Sequence, residues 1–126
     1  MASILVVDDS AVVRRMLALI LERSGHEVRC AGDGAGGLEA VAQRRPDLVL
    51  CDLEMPVADG VAFVRRLREG DTVRSVPVVM LTGAPASERP VVLADLGVQG
   101  FVTKPVRSAE VLELVGAVLS AAGRPS

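Results

Sequence analysis

Residues 48–60 read Leu-Val-Leu-Cys-Asp-Leu-Glu-Met-Pro-Val-Ala-Asp-Gly, and the abrupt change at Asp52 decides the fold. Four apolar residues, Leu48 to Cys51, run without a polar interruption and then stop at a carboxylate. Two other runs have the same form: Ile4 to Val7, stopped by Asp8, and Val78 to Leu81, stopped by Thr82. A short strand with no polar alternation is buried on both faces, as in a parallel sheet covered by helices. Two further stretches, Glu27 to Ala31 and Val98 to Val102, are mixed, carrying Arg29, Gln99 and Gly100. Mixed polarity suits the edges of a sheet, where one side of the strand meets water.

Helical patterns lie between the strands. Val13, Leu17, Ile20 and Leu21 share one face of a helix that opens after Ser10, an N-cap, and closes before Gly25. Leu38 and Val41 mark a second, weaker helix with Gly36 and Gly37 in its first turns. Val61, Val64 and Leu67 mark a third, which Asp59-Gly60 starts. A fourth is expected over Ser87 to Leu96, with Pro90 early enough to be tolerated. Val111, Val115, Val118 and Leu119 define a fifth, ending near Gly123, with a frayed tail over 124–126. The order is βα five times. Right-handed crossovers then give an α/β fold, a doubly wound sheet of five parallel strands with the pure runs central, in order 2-1-3-4-5.

The 126 residues suit one domain over 1–126 with its core at about 3–121, and half of them are apolar. A net charge of −2 carries no footprint of a nucleic-acid or anionic-membrane binder. Cys30 and Cys51 form no CxxC pair, match no zinc spacing and are expected as small buried core residues. The first ten residues lack a basic leader, and no apolar run nears the ~20 residues of a membrane span. A cytoplasmic protein is therefore expected. His26 follows Gly25 in a turn and is expected at the surface.

In a doubly wound sheet, chemistry gathers at the carboxyl ends of the strands. The residues there are Asp8, Asp9, Asp52, Thr82 and Lys104. Three carboxylates from neighbouring strands repel in a partly buried pocket and raise the pKa of one of them. A hard divalent cation, Mg²⁺ or Mn²⁺, relieves that repulsion with oxygen ligands. Lys104 adds a positive charge and Thr82 a hydroxyl donor. Such a set suits phosphoryl transfer to a carboxylate nucleophile.

The segments that carry these residues, VVDDSAVVRRML at 6–17, LVLCDLEMPVADG at 48–60, VVMLTG at 78–83 and FVTKPV at 101–106, resemble bacterial response-regulator receiver domains. The match runs over essentially the whole chain, and DDSAVVRR is most similar to stand-alone chemotaxis-type regulators. The resemblance implies a flavodoxin-like (βα)5 fold and a role in two-component signalling. A sensor histidine kinase or phosphotransfer protein would supply a phosphoryl group to Asp52. Asp8, Asp9, Asp52 and the Glu54 backbone carbonyl would hold the metal. Thr82 and Lys104 would take phosphoryl oxygens, and Gly83 would leave room for the donor. Lys104-Pro105 matches the family's cis peptide, and Phe101 its switch aromatic. The output would be a downstream protein or a second copy, bound through the fourth helix, fifth strand and fifth helix, where Val91, Val98 and Val106 offer apolar contacts. Nucleic acid and membrane would not be bound directly. The chain would be a switch promoting its own phosphorylation and dephosphorylation, not an enzyme acting on other molecules.

Two positions depart from the family's habit. Phe101 lacks the hydroxyl of the frequent tyrosine, and Ala84 is apolar where a polar group is common, while Glu54 is acidic. Two other functions fit the fold class less well. A phosphatase of the haloacid dehalogenase type needs its aspartyl nucleophile after the first strand and a second Asp two residues on, where Ser10 stands. A flavodoxin-like electron carrier needs a hydroxyl-rich phosphate loop, and usually aromatic rings against the flavin. The first loop here is acidic, and the chain has no Trp and no Tyr.

Overall fold

The computed structural model describes residues 2–55, 60–70, 75–84, 86–88 and 91–123. Asp59, Pro90 and the tail at 124–126, all interpreted above, lie outside the described residues.

The apolar runs become strands β1 (Ser3–Val7), β3 (Leu48–Asp52) and β4 (Val78–Thr82), and the mixed ones β2 (Glu27–Ala31) and β5 (Gly100–Thr103). All pairs are parallel, in the order β2-β1-β3-β4-β5. Every residue of β3 and β4 is buried, while β2 and β5 keep exposed positions, as their mixed sequences require. The helices are α1 (Ala11–Arg23), α2 (Gly34–Gln43), α3 (Gly60–Glu69), α4 (Val92–Asp95) and α5 (Ser108–Ala121), with a 3-10 turn at Ala86–Glu88.

The sheet separates two apolar layers. Leu17 and Leu21 of α1 and Val111, Val115 and Leu119 of α5 pack on Ile4, Val6, Leu50 and Leu81. On the opposite face, Val41, Phe63, Val64, Leu67 and Leu93 pack on Leu5, Val7, Val49, Cys51 and Met80. Alternate strand residues feed the two layers, as the pleat demands. Burying a Leu, Val or Phe contributes about 1.5–3 kcal/mol each, so this double layer is the main stabilising term.

Local signals fix the helix starts. Ser10 Oγ accepts the Val13 amide at 3.3 Å and caps α1, and Asp33 Oδ1 accepts Gly36 N at 2.7 Å and caps α2. One of the glycines that weaken α2 as a sequence signal has a packing role. A Cβ at Gly37 would sit 2.8 Å from Phe63 and 3.0 Å from Val7, so the glycine lets α2 lie close to α3 and β1.

Four expectations need correction. The fourth helix is only Val92–Asp95, after the separate turn at Ala86–Glu88. No side chain caps its start, and Gly97, at φ +73°, follows its last turn. Arg68 of α3 holds that end instead, donating to the carbonyls of Leu96 at 2.7 Å and Val76 at 2.6 Å. The fifth strand starts at Gly100, not Val98, because Gln99 turns back on β4: its Oε1 accepts Val78 N at 2.7 Å. His26 is buried, not at the surface, and its Nδ1 accepts the Ala2 amide at 3.2 Å. Cys30 is exposed on edge strand β2, whereas Cys51 is buried.

Candidate phosphoryl and metal site

The strand register brings the chemistry to one edge. Val7 pairs with Cys51, Asp52 with Leu81 and Thr82 with Thr103, so the residues at these strand ends emerge side by side. Backbone bonds then set the loops: Leu53 N donates to Leu81 O at 2.9 Å, and Lys104 N to Thr82 O at 2.8 Å. Asp8 and Thr82 are wholly buried, Asp52 is 2% exposed, and Asp9 is exposed.

Carboxylate oxygens of Asp8, Asp9 and Asp52 lie within 4.8 Å of one another. Lys104 Nζ stands 3.1 Å from Asp52 Oδ1 and 3.4 Å from Asp8 Oδ2. Asp8 Oδ1 accepts Ser10 N at 2.8 Å, which fixes the carboxylate over the start of α1. Its other oxygen, Oδ2, is buried and accepts no hydrogen bond. A buried oxygen with no hydrogen bond beyond its ion pair to Lys104, inside an all-oxygen acidic cluster, is the donor chemistry a hard divalent cation requires. The residues present therefore fit such a cation.

Electrostatics follow from this crowding. Burial, and after it the charge of Asp8, pushes the Asp52 carboxyl above the ordinary carboxylate range, against the Glu54 N–H and Lys104. Burial alone would lower the Lys104 ammonium, but its bonds and attraction to Asp52 and Asp8 outweigh that and hold it above the usual lysine value.

The remaining expected residues fall around this centre. Gly83 is exposed, and a Cβ there would meet open space. The Lys104-Pro105 peptide is cis. Phe101 is half-buried on β5, packed against the α3 and α4 side of the core, and it lines a groove with Arg107, Glu110 and Leu114. Val91 is among the most exposed large apolar residues, at 84%. Glu54 lies on the loop leaving β3, and its amide donates to Asp52 Oδ1 at 3.1 Å.

Two interactions at the site were not legible in the sequence. The Glu54 side chain accepts Thr82 Oγ1–H at 2.6 Å and Gly83 N–H at 3.3 Å. The only sequence sign was an acid two residues after Asp52. Arg14 Nη1 donates to the Asp8 carbonyl at 2.7 Å and braces the β1 end, its sign being a basic residue one turn into α1.

Known proteins carry the same pattern. The sequence profile of the response regulator receiver domain matches residues 4–116. The transcriptional regulatory protein CseB of Streptomyces avermitilis is 39% identical over 123 residues, covering 98% of this chain and 51% of CseB. The chain thus spans about half the length of the first curated relatives it matches. Protein PilH of Pseudomonas aeruginosa is 34% identical over 120 residues, covering 95% of this chain and 99% of PilH. The solved structure of chemotaxis protein CheY4 of Vibrio cholerae superposes with a TM-score of 0.90 at 33% identity, covering 94% of this chain and 99% of that one. With an unbroken match from the first strand into the fifth helix, this chain belongs to the response regulator receiver domain family of two-component signalling.

Proposed function

We propose that the chain, as one receiver domain over 1–126, takes a phosphoryl group on Asp52 from a sensor histidine kinase or phosphotransfer protein. The observation that supports it is the meeting of Asp8, Asp9 and Asp52 around the Lys104 ammonium at the carboxyl edge of the sheet. In the transfer, an Asp52 carboxylate oxygen forms the new bond to phosphorus as the donor's phosphorus–nitrogen bond breaks and the imidazole leaves. Lys104 keeps Asp52 ionised against its burial and pairs with a phosphoryl oxygen afterwards. Asp8, Asp9, Asp52 and the Glu54 carbonyl would hold Mg²⁺ or Mn²⁺. When bound, that cation supplies the charge that one lysine cannot, offsetting the carboxylates and the phosphoryl oxygens. Exposed Gly83 leaves the donor a path into the pocket. The reaction alters the chain itself, so the domain is a switch that promotes its own phosphorylation and dephosphorylation.

The switch works on an existing equilibrium. Thr82 turns its hydroxyl to the phosphoryl group, and Phe101, on the neighbouring strand, moves into the space it leaves. A downstream protein or a second copy then binds the face of α4, β5 and α5, where Val91 is exposed and Val98 and Val106 are half-buried. Direct contact with nucleic acid or a membrane has no part in this function, and the setting is cytoplasmic. Among the described residues no helix is long and apolar enough to cross a membrane. The test is incubation with acetyl phosphate and Mg²⁺, followed by intact mass and peptide mapping, with Asp52→Asn as the comparison.

A further inference from the structure

The geometry points to a second role for Glu54: its carboxylate is a latch that holds Thr82 in the resting position, so that a phosphoryl group on Asp52 must displace it. The inference rests on the Asp52 reading. Thr82 has one hydroxyl proton, and that proton is already given to Glu54 Oε1 at 2.6 Å. The same oxygen accepts Gly83 N–H at 3.3 Å. The Thr82 hydroxyl oxygen is itself fixed, accepting Ala84 N–H at 3.0 Å. Both donors at the end of β4 are therefore committed to an anion belonging to the chain.

One oxygen taking a hydroxyl and a backbone amide is bound much as a phosphoryl oxygen would be, and 2.6 Å is the length of a charge-assisted bond. Thr82 is wholly buried, while Glu54 is exposed and its main chain stays tied to Asp52 Oδ1 at 3.1 Å. The carboxylate can thus swing into water while its backbone keeps its place. Repulsion from a phosphoryl dianion drives it out and frees the Thr82 proton for the new oxygen. Glu54 is a positioning residue in this scheme. It sets how firmly the resting state is held and how tightly an unanchored phosphoryl mimic binds.

The probe is Mg²⁺ with beryllofluoride, titrated calorimetrically into the full chain and into Glu54→Ala, Glu54→Gln, Thr82→Ala and the Glu54→Ala/Thr82→Ala double variant. Glu54→Ala should bind about tenfold more tightly than the wild type, the scale of one hydrogen bond to a charged group. Glu54→Gln should fall between, because it keeps an oxygen acceptor without the charge. The gain should vanish when Thr82 is already alanine, since the latch acts through that hydroxyl. In the metal-free chain, the Gly83 amide proton should move upfield in Glu54→Ala and less in Glu54→Gln. An equal gain with and without Thr82 would reduce Glu54 to a repelling charge and overturn the latch. So would a Gly83 resonance that does not move, or an affinity unchanged in Glu54→Ala. A wild-type chain that binds no beryllofluoride would remove the Asp52 reading and the latch with it, so the two failures are distinguishable.

Discussion

Asp52→Asn should make the metal-free protein more stable, although it deletes an ion pair. Two carboxylates 4.8 Å apart, the outer limit for Asp8 and Asp52, repel by about 3.5 kcal/mol at an effective dielectric of about 20. The Lys104 ammonium, 3.1 Å from Asp52, returns about 5 kcal/mol on the same scale. The attraction is the larger by about 1.5 kcal/mol on that scale, and the burial of a charge, several kcal/mol for a group 2% exposed, outweighs that remainder and decides the sign. Lys104 is not orphaned by the change, because Asp8 Oδ2 remains 3.4 Å away. The upward shift of the Asp52 pKa, caused by the same burial and then by the charge of Asp8, has the same sign. A carboxyl raised in the folded state loses stability as pH rises through its folded pKa, so at neutral pH its ionised form weighs against the fold. A neutral isostere should gain about 1–3 kcal/mol, or roughly 3–10 °C in melting temperature for a domain of this size. Thermal melts followed by circular dichroism in chelator test this. Mg²⁺ should then raise the wild type more than the variant, through binding to the native state alone. An Asp52→Asn protein that melts lower than wild type in chelator would refute the reasoning.

Three other outcomes follow from separate parts of the molecule. Phe101→Ala should still take a phosphoryl group at Asp52 but lose phosphorylation-dependent association, measured by analytical ultracentrifugation with beryllofluoride or by partner binding; wild-type coupling would leave the ring a packing group only. Gly60→Ala should cost about 2–4 kcal/mol in urea unfolding, because its Cβ would fall 2.6 Å from Met80 Cε, 2.7 Å from Asp52 O and 2.8 Å from Leu53 Cα, two of them backbone atoms. Stability should also fall with pH around His26. Burial, and after it the positive chain terminus, lowers its pKa from 6.5, so its contribution is complete above 6.5 and is lost as pH falls from there towards the folded value. Urea midpoints at pH 7.5 and 5.5 should show this step in the wild type and a flatter response in His26→Gln.

The central sheet was legible because burial on both faces leaves a local mark. Ile4 to Val7, Leu48 to Cys51 and Val78 to Leu81 carry no polar residue, and each becomes part of a strand buried in the structure. Helices α1 and α5 were equally plain, since Leu17, Leu21, Val111, Val115, Val118 and Leu119 repeat at helical spacing and all are buried. What escaped is non-local. His26 looked like a turn residue, yet its partner, the Ala2 amide, is 24 residues away. Gln99 looked like a polar edge residue, yet its side chain closes on Val78 and shortens the strand. Phe63 is among the largest fully buried side chains but drew no notice, because its contact with Gly37 depends on how two helices meet. At the site, strand-end position located Asp8, Asp9, Asp52, Thr82 and Lys104. The Glu54 side chain stood out as acidic, but its bond to Thr82 was not legible because it joins residues 28 apart at the ends of two strands.

Whether Asp52 is the sole phosphoacceptor is tested most directly by mass. After incubation with acetyl phosphate and Mg²⁺, the intact chain should gain one phosphoryl group, borohydride reduction and peptide mapping should place it on Asp52, and Asp52→Asn should gain none. Labelling of the Asp52→Asn chain to the wild-type extent, or a label mapped to another residue, would contradict the account.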